Sequence, residues 1–302
     1  MDFANLRAFA EVAACGSFSA AAERLHLSQP AVSKRIAVLE ESLGAVLFDR
    51  LGRRTELTEA GRALLAHVPE VEHSLRKAQQ SVRDLDGVVA GTLRIATSHH
   101  IGLHRLPPVL SIFQRRYPAV RLDIEFLDSE LAYERLRTGV IELAVVTLAP
   151  GDVTQLHSEP LWRDSLRVMA ARDHELATRE ELGLADLATY PAVLPGLETF
   201  TGQIVRRHFR DTGLELDLRM STNYLETLRM LASVGLGWTV LPDFMAGETL
   251  KCLDVHATHL TRTLGLVMHR DRSASRSAQA FASLLRSEAQ TTEAAPACSR
   301  RP

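Results

Sequence analysis

Cysteine is scarce in this chain: Cys15, Cys252 and Cys298 are the 3 in 302 residues, an odd number at distant positions. That pattern does not describe a disulfide framework and suits a reducing compartment. Long apolar runs are missing too. No stretch approaches the ~18 apolar residues of a membrane span, and MDFANLRAFA at the N-terminus has no cationic segment leading into an uninterrupted apolar one. The expectation is a cytoplasmic protein without a membrane partner. Nor does one sign of charge dominate: Lys and Arg number 35 against 37 Asp and Glu, a net charge of -2. Affinity for nucleic acid would therefore have to come from local placement of charge. The sequence also lacks G-x-S-x-G, H-E-x-x-H and G-x-x-x-x-G-K motifs, which argues against an enzyme.

What is present suits a globular protein of two parts. Hydrophobic residues make up 46% and charged residues 24%, and the length exceeds that of one typical domain. Residues 3–14 carry Phe3, Leu6, Phe9, Val12 and Ala13 at helical spacing, closed by Cys15-Gly16-Ser17. Ser19 is the expected N-cap of a short second helix over AAAERL. Ser28 is the expected cap of a third, with Pro30 in its first turn, Val32, Ile36 and Leu39 on its buried stripe, and Gly44 as its stop. Two short helices joined by a tight turn, the second polar at its start, make a helix-turn-helix. In such a unit Gln29 can pair with adenine, and Ser33 and Lys34 can contact bases or phosphates. LFDRLGRRTELT then reads as a hairpin wing with Gly52 at its tip and Arg50, Arg53 and Arg54 around it, suited to phosphates or the minor groove. The rival reading is a solvated basic turn beside an ordinary three-helix core.

Beyond Thr58 the periodicity changes. Leu64, Val68, Val71, Leu75, Ala78, Val82 and Leu85 recur at steps of four and three, the seam of a short coiled coil or the face of an amphipathic helix lying on its own domain. Pro69 predicts a kink in it. After Gly87 and Gly91, strand-like TLRIAT, VRLDIEF and IELAVV alternate with helices near 102–116 and 129–138. A second set follows: SLRVMA, AVLP, a helix near 201–211, LELDLRM, a helix from Asn223 to Val234 that starts like a capping box with Glu226, and WTVL. LGLVMH and a helix near 277–287 return the chain to the first set, and residues 288–302 read as a mobile tail. This order predicts an α/β fold with a mostly parallel sheet covered on both faces.

Residues 16–61, GSFSAAAERLHLSQPAVSKRIAVLEESLGAVLFDRLGRRTELTEAG, resemble the signature of the LysR-type transcriptional regulators from end to end. Weaker similarity covers GTLRIATS, LPPVLSIFQRRYPAVRLDI, LRTGVIELAVV and VGLGWTVLP. The resemblance implies an N-terminal winged helix-turn-helix over residues 1–58, a dimerising linker helix over 59–88, and a two-lobed effector domain like periplasmic binding proteins over 89–302. Lobe I would take about 89–161 and 265–288, lobe II about 162–264, and the tail 289–302. It further implies homotetramers built from dimers, binding to double-stranded DNA, and RNA polymerase as a further candidate partner. Carried over by position, the base-reading residues are Gln29, Pro30, Ser33 and Lys34, the wing cation is Arg53, and Ser28, Arg35, Arg50 and Arg54 contact the backbone. This chain departs at Lys34, commonly Arg in the family, and at Leu51, where a small polar residue is usual. Lysine lacks the planar fork that grips guanine at two points, so Lys34 is expected to act more through phosphate.

In a two-lobed α/β domain a ligand sits at the carboxyl ends of the strands, among helix N-termini. Ser98, His99 and His100 follow TLRIAT, Thr199, Phe200, Thr201 and Gly202 open the second-lobe helix, and Thr147 ends IELAVV. Asn223 or Tyr224 would border the cleft. Free N–H groups and the helix dipole favour an anion there, so the expected effector is a small anionic metabolite such as a carboxylate, with no cofactor. The same residues could serve only as helix caps and exposed loop histidines. Cys252, His256 and His259 have a spacing that metal ligands could use, but no fourth ligand is in evidence and no metal site is assigned. A redox or metal signal, or a solute-binding role, are the alternatives, the last of which residues 1–61 contradict.

Overall fold

The computed structural model describes residues 2–51, 54–83, 89–256 and 258–294. They fall into two units, Met1–Gln79 and Gln80–Pro302.

The first unit is a three-helix head with a hairpin. Helix α1 (Phe3–Cys15) is capped by Asp2, whose Oδ1 accepts the Ala4 N–H at 3.2 Å, and ends on Gly16 in the left-handed region at φ 60°. Helix α2 (Phe18–Leu25) starts two residues earlier than expected. Ser17, not Ser19, is its cap, because Ser17 is the residue held in extended backbone with its Oγ facing the Ala20 N–H. Helix α3 (Gln29–Leu43) is capped by Ser28, carries Pro30 in its first turn, and stops at Gly44. Val32, Ile36 and Leu39 are fully buried against Leu6, Phe9 and Val12 of α1, each removal from water worth roughly 1.5–3 kcal/mol.

Strands β1 (Phe48–Leu51) and β2 (Arg54–Leu57) pair antiparallel, Leu51 opposite Arg54, so the wing is a hairpin. Helix α4 (Glu59–Arg83) follows without interruption through Pro69. Gly61 admits its first turn: a Cβ there would run into the Leu47 carbonyl. The seam read from the sequence divides in two. Leu64 and Val68 pack into the core of the head, whereas Val71 is exposed and borders an apolar groove with Phe3, Leu6, Leu75 and Ala78. Leu85 lies outside the described residues.

The second unit contains β3 (Gly91–Thr97), α5 (His99–His104), α6 (Leu106–Arg116), β4 (Val120–Phe126), α7 (Ser129–Thr138), β5 (Leu143–Thr147) and β6 (Leu156–Ala171). It continues with α8 (Leu184–Ala188), β7 (Ala192–Leu194), α9 (Phe200–Asp211), β8 (Leu218–Ser221), α10 (Leu225–Ser233) and β9 (Thr239–Pro242), then β10 (Leu250–Cys252), β11 (Leu260–His269) and α11 (Arg276–Ala294). The main sheet runs β10-β6-β11-β5-β3-β4, with β9 also on β6. Within this sheet, among the described residues, β3 alone pairs parallel, with β4 and β5, while β11 and β6 run antiparallel to their neighbours; β7 and β8 pair parallel in a separate two-stranded sheet. The expectation of a mostly parallel sheet is therefore corrected. The antiparallel pairs come from two long strands, β11, which runs against β5 and β6, and β6, whose 16 residues extend well beyond SLRVMA and also pair with β9 and β10.

Strands β6 and β11 build two lobes on one sheet. Leu161 and Trp162 of β6, with Leu264 and Leu266 of β11, belong to a core with α6 and α11. Leu166 and Val168, with Leu260, belong to a second core with Phe209 and Trp238. Side chains alternate faces: Leu143 and Val145 enter one core of the first lobe, Ala144 and Val146 the core on the other face, as period-two geometry requires of a sheet covered on both sides.

Three further expectations are corrected. The helix expected over 102–116 is two helices, because Pro107 and Pro108 lack the N–H groups that would continue the ladder from α5. His99 and His100 are thus residues of α5 and do not precede it. The expected strand LELDLRM shortens to β8, and α10 starts at Leu225 with Tyr224 as its cap residue, so Asn223 and Glu226 form no capping box. The last helix continues from the expected 287 to Ala294; residues 295–302, with Cys298, lie outside the described ones.

Candidate functional site

At the head, the opening turn of α3 is presented outward. Ser28, Gln29, Pro30 and Lys34 are exposed, and Ser33 and Arg35 are half-buried. Gln29 Nε2 donates to Ser33 Oγ at 3.0 Å, a pairing that follows from i, i+4 placement on one helix face. This steadies the amide without exhausting it, since the second N–H and Oε1 remain for the donor and acceptor edge of adenine. Arg53 lies outside the described residues, as do the side chains of Arg50 and Arg54.

In the second unit a cleft of about 390 Å³, part of it open to solvent, lies between the lobes. Seven of the expected residues line it: Ser98, His100, Thr147, Thr199, Phe200, Thr201 and Asn223. His99 does not. It turns to Glu226 at 3.6 Å and to the edge of Tyr224, with ring centroids 5.1 Å apart.

Ser98 ends the β3 segment as the cap residue of α5, yet its hydroxyl makes no capping bond and is buried without a partner. His100 Nε2 is likewise buried without a partner. Burial above all, then the nearby Arg262, His104, His99 and Arg105, holds the His100 pKa well below the ordinary histidine value. The ring is therefore neutral near pH 7, with one N–H and one lone pair, and brings no positive charge to the cleft.

Thr147 donates its backbone N–H to Ser129 Oγ at 3.2 Å. Thr199 caps α9: its Oγ1 accepts the Gly202 N–H at 3.1 Å and its hydroxyl donates to the Gly196 carbonyl at 2.7 Å. Glycine at 202 permits that approach, because a Cβ would collide with the same carbonyl. Asn223 is no helix cap. Its Oδ1 accepts the Gly196 N–H at 3.1 Å, and its Nδ2 reaches the first lobe to donate to Asp128 at 2.9 Å.

Four residues beyond those expected from the sequence, Asp128, Ser129, Glu130 and Arg262, also line the cleft. Arg262 is fully buried and donates to Asp164 Oδ2 through Nη2 at 3.0 Å and Nε at 3.3 Å, while its Nη1 donates to Thr201 Oγ1 at 3.3 Å. Asp164 Oδ1 accepts in turn from Arg105 at 3.0 Å. Burial pulls the Arg262 pKa down and Asp164 opposes it. A signal for both residues was available: Arg262 sits between Leu260 and Leu264, and Asp164 between Trp162 and Leu166, each at an inward position of an alternating strand.

The chain matches the model of the bacterial regulatory helix-turn-helix protein, lysR family, over residues 3–62. It matches that of the LysR substrate binding domain over residues 86–290. It is 32% identical over 290 residues to a RuBisCO operon transcriptional regulator of Allochromatium vinosum, covering 94% of this chain and 95% of that one. The chain belongs to the LysR family of transcriptional regulators.

This LysR-family chain is thus a DNA-binding regulator with a winged helix-turn-helix, a long linker helix and a two-lobed binding domain, and not an enzyme. Among solved structures, that of CbnR, a LysR family transcriptional regulator, matches with a TM-score of 0.69 at 21% identity, covering 96% of this chain and 99% of that one. The effector binding domain of QuiR in complex with shikimate matches with a TM-score of 0.60 at 16% identity, covering 67% of this chain and 99% of that domain. Both show the shared fold. Among the described residues of this regulator no group of three His, Cys, Asp or Glu side chains is arranged to hold a metal ion, and no helix is long and apolar enough to cross a membrane. Cys252 is half-buried, and burial raises its pKa, so its thiol stays protonated near pH 7.

Proposed function

We propose that the regulator senses a small anionic metabolite, a carboxylate being the simplest, held by Ser98, His100, Thr147, Thr199, Phe200, Thr201 and Asn223. The observation that carries this reading is the pair of buried, unpartnered groups, Ser98 Oγ and His100 Nε2, in the cleft that also holds the N-terminus of α9. Orphaned buried polar atoms are rare and costly unless a ligand or water completes them, and the end of a 12-residue helix favours negative charge. Titration with candidate carboxylates while following the melting temperature tests it; stabilisation by neutral compounds alone rejects it.

On the DNA side, Gln29, Pro30, Ser33 and Lys34 read bases, and Ser28, Arg35, Arg50, Arg53 and Arg54 hold the phosphate backbone. Residues 1–58 form the reader, 59–88 the linker and 89–302 the effector part. The exposed Val71 and the groove it shares with Phe3 and Leu75 support a homodimer built along α4, with tetramers formed from such dimers in the cytoplasm and RNA polymerase as a downstream partner. A two-fold dimer presents the same helix twice, so operator half-sites lie one or more helical turns apart with dyad symmetry. Effector binding acts by changing the spacing of the paired helices and with it the bend of the DNA. A footprint confined to one half-site by a monomer would reject the paired reading.

A further inference from the structure

Helix α9 already has a carboxylate at its N-terminus. Glu130, from α7 in the first lobe, accepts the Phe200 N–H of the second lobe at 2.5 Å, one of the amides a helix leaves unpaired at its start. The Tyr133 ring meets Phe200 edge-on with centroids 5.5 Å apart, and Asp128 accepts from Asn223 beside it, so the contact is part of a seam joining the lobes. The Phe200 N–H, at an end of α9 that favours an anion, is thus taken up from within the protein.

Among the described residues, the charges acting on Glu130 include no cation. Arg262, on β11, is committed to Asp164, and His100, on α5, is neutral. Asp128 and Glu198 add like charge nearby. Meanwhile Ser98 Oγ and His100 Nε2, both on residues more than nine-tenths buried, still lack partners in the same cleft, and Glu130 does not supply one. A group from outside is needed to complete them.

We infer that Glu130 is an internal competitor that sets the selectivity of the cleft: it occupies the N-terminus of α9 in place of an effector's anionic group, and such an effector binds by displacing it. The inference rests on the effector reading above and adds two properties. Displacement breaks a bond between the lobes, which ties occupancy to their mutual position. The displaced carboxylate also stays near the bound anion together with Asp128, so singly charged effectors are favoured over multiply charged ones.

Acidity acts in a defined direction. Burial, with Asp128 and Glu198, raises the Glu130 pKa against the hydrogen bonds it accepts from its own N–H and that of Phe200. As pH falls Glu130 takes a proton, its repulsion disappears, and anion binding strengthens.

The test uses the full-length protein and two probes, acetate and inorganic sulfate, with affinity read from melting curves and calorimetry. Glu130→Gln removes the charge and keeps an acceptor; Glu130→Ala vacates the place. Both variants are expected to bind acetate about tenfold more tightly than wild type at pH 7.5, or about 1.4 kcal/mol. The wild type closes this gap towards pH 5.5 while the Gln variant stays flat, and wild type discriminates against sulfate more than either variant. Adding Ser98→Ala to Glu130→Gln abolishes the gain if binding is in the cleft. Equal affinity of wild type and both variants, with binding still lost on Ser98→Ala, overturns the competitor and leaves the effector reading standing. Failure of every variant to bind either anion through Ser98 overturns both.

Discussion

Asp164→Ala removes the carboxylate that Arg262 and Arg105 share, and the two arginines are not affected alike. Arg262 is fully buried, its side chain 2% exposed, and its Nε and Nη2 both point at Asp164; Arg105 is 25% exposed and can turn towards water. Removing the carboxylate therefore leaves a buried guanidinium with only Thr201 Oγ1 as acceptor, the situation in which breaking a buried pair costs about 3–5 kcal/mol. Spread over a unit of residues 80–302, at roughly 2–4 °C per kcal/mol for domains of this size, the melting temperature falls by roughly 6–20 °C. Arg262→Met should cost less, since Asp164 keeps Arg105 at 3.0 Å. Asp164→Leu combined with Arg262→Met should return most of the loss, because replacing a buried pair by apolar groups of similar volume is often neutral or stabilising. Urea unfolding of the four proteins checks the order. A loss below about 1 kcal/mol for Asp164→Ala, or a double variant no better than that single one, would refute the account of why these charges are buried together.

Other outcomes follow from the same geometry. Gln29→Ala should cost about 1–3 kcal/mol at one base pair and relax specificity there, whereas Lys34→Ala should weaken all sequences alike and reduce the salt slope by about 1, both readable by fluorescence anisotropy across a salt series. His100, with its pKa held below the ordinary value by burial, resists protonation when folded but not when unfolded. Folding stability should therefore fall as pH drops below about 6.5, and His100→Gln should flatten that slope in pH-dependent denaturation. Val71→Asp places a charge in the groove beside Phe3 and Leu75 and should shift sedimentation towards monomer while the head keeps its helical circular dichroism.

The head was legible because its signals are local. Ser28, Pro30 and Gly44 mark the bounds of α3, and Val32, Ile36 and Leu39 mark its buried face, all within one short stretch of chain. The wing and the long helix were legible for the same reason. The strand order was not. A 16-residue β6 that passes through two cores leaves no local mark distinguishing it from two strands in separate parallel units. The cleft divides along the same line. Ser98, Thr147 and Thr199 were found because strand ends and helix starts are sequence features. Glu130 and Asp164 were missed because their partners lie far along the chain, Glu130 on Phe200 70 residues away and Asp164 on Arg262 98 away.

What the amino-acid order determined by itself is the helices of the head with their apolar faces, the Ser28 cap and Gly44 stop of α3, and the approximate places of most later strands and helices, since each depends on backbone geometry and neighbours within a turn or two. Only the tertiary structure decided which charges are buried together, that His100 is neutral, and that α9 meets a carboxylate from the other lobe. Those outcomes depend on burial and on distances between residues remote in sequence, and burial is a property of the packed chain.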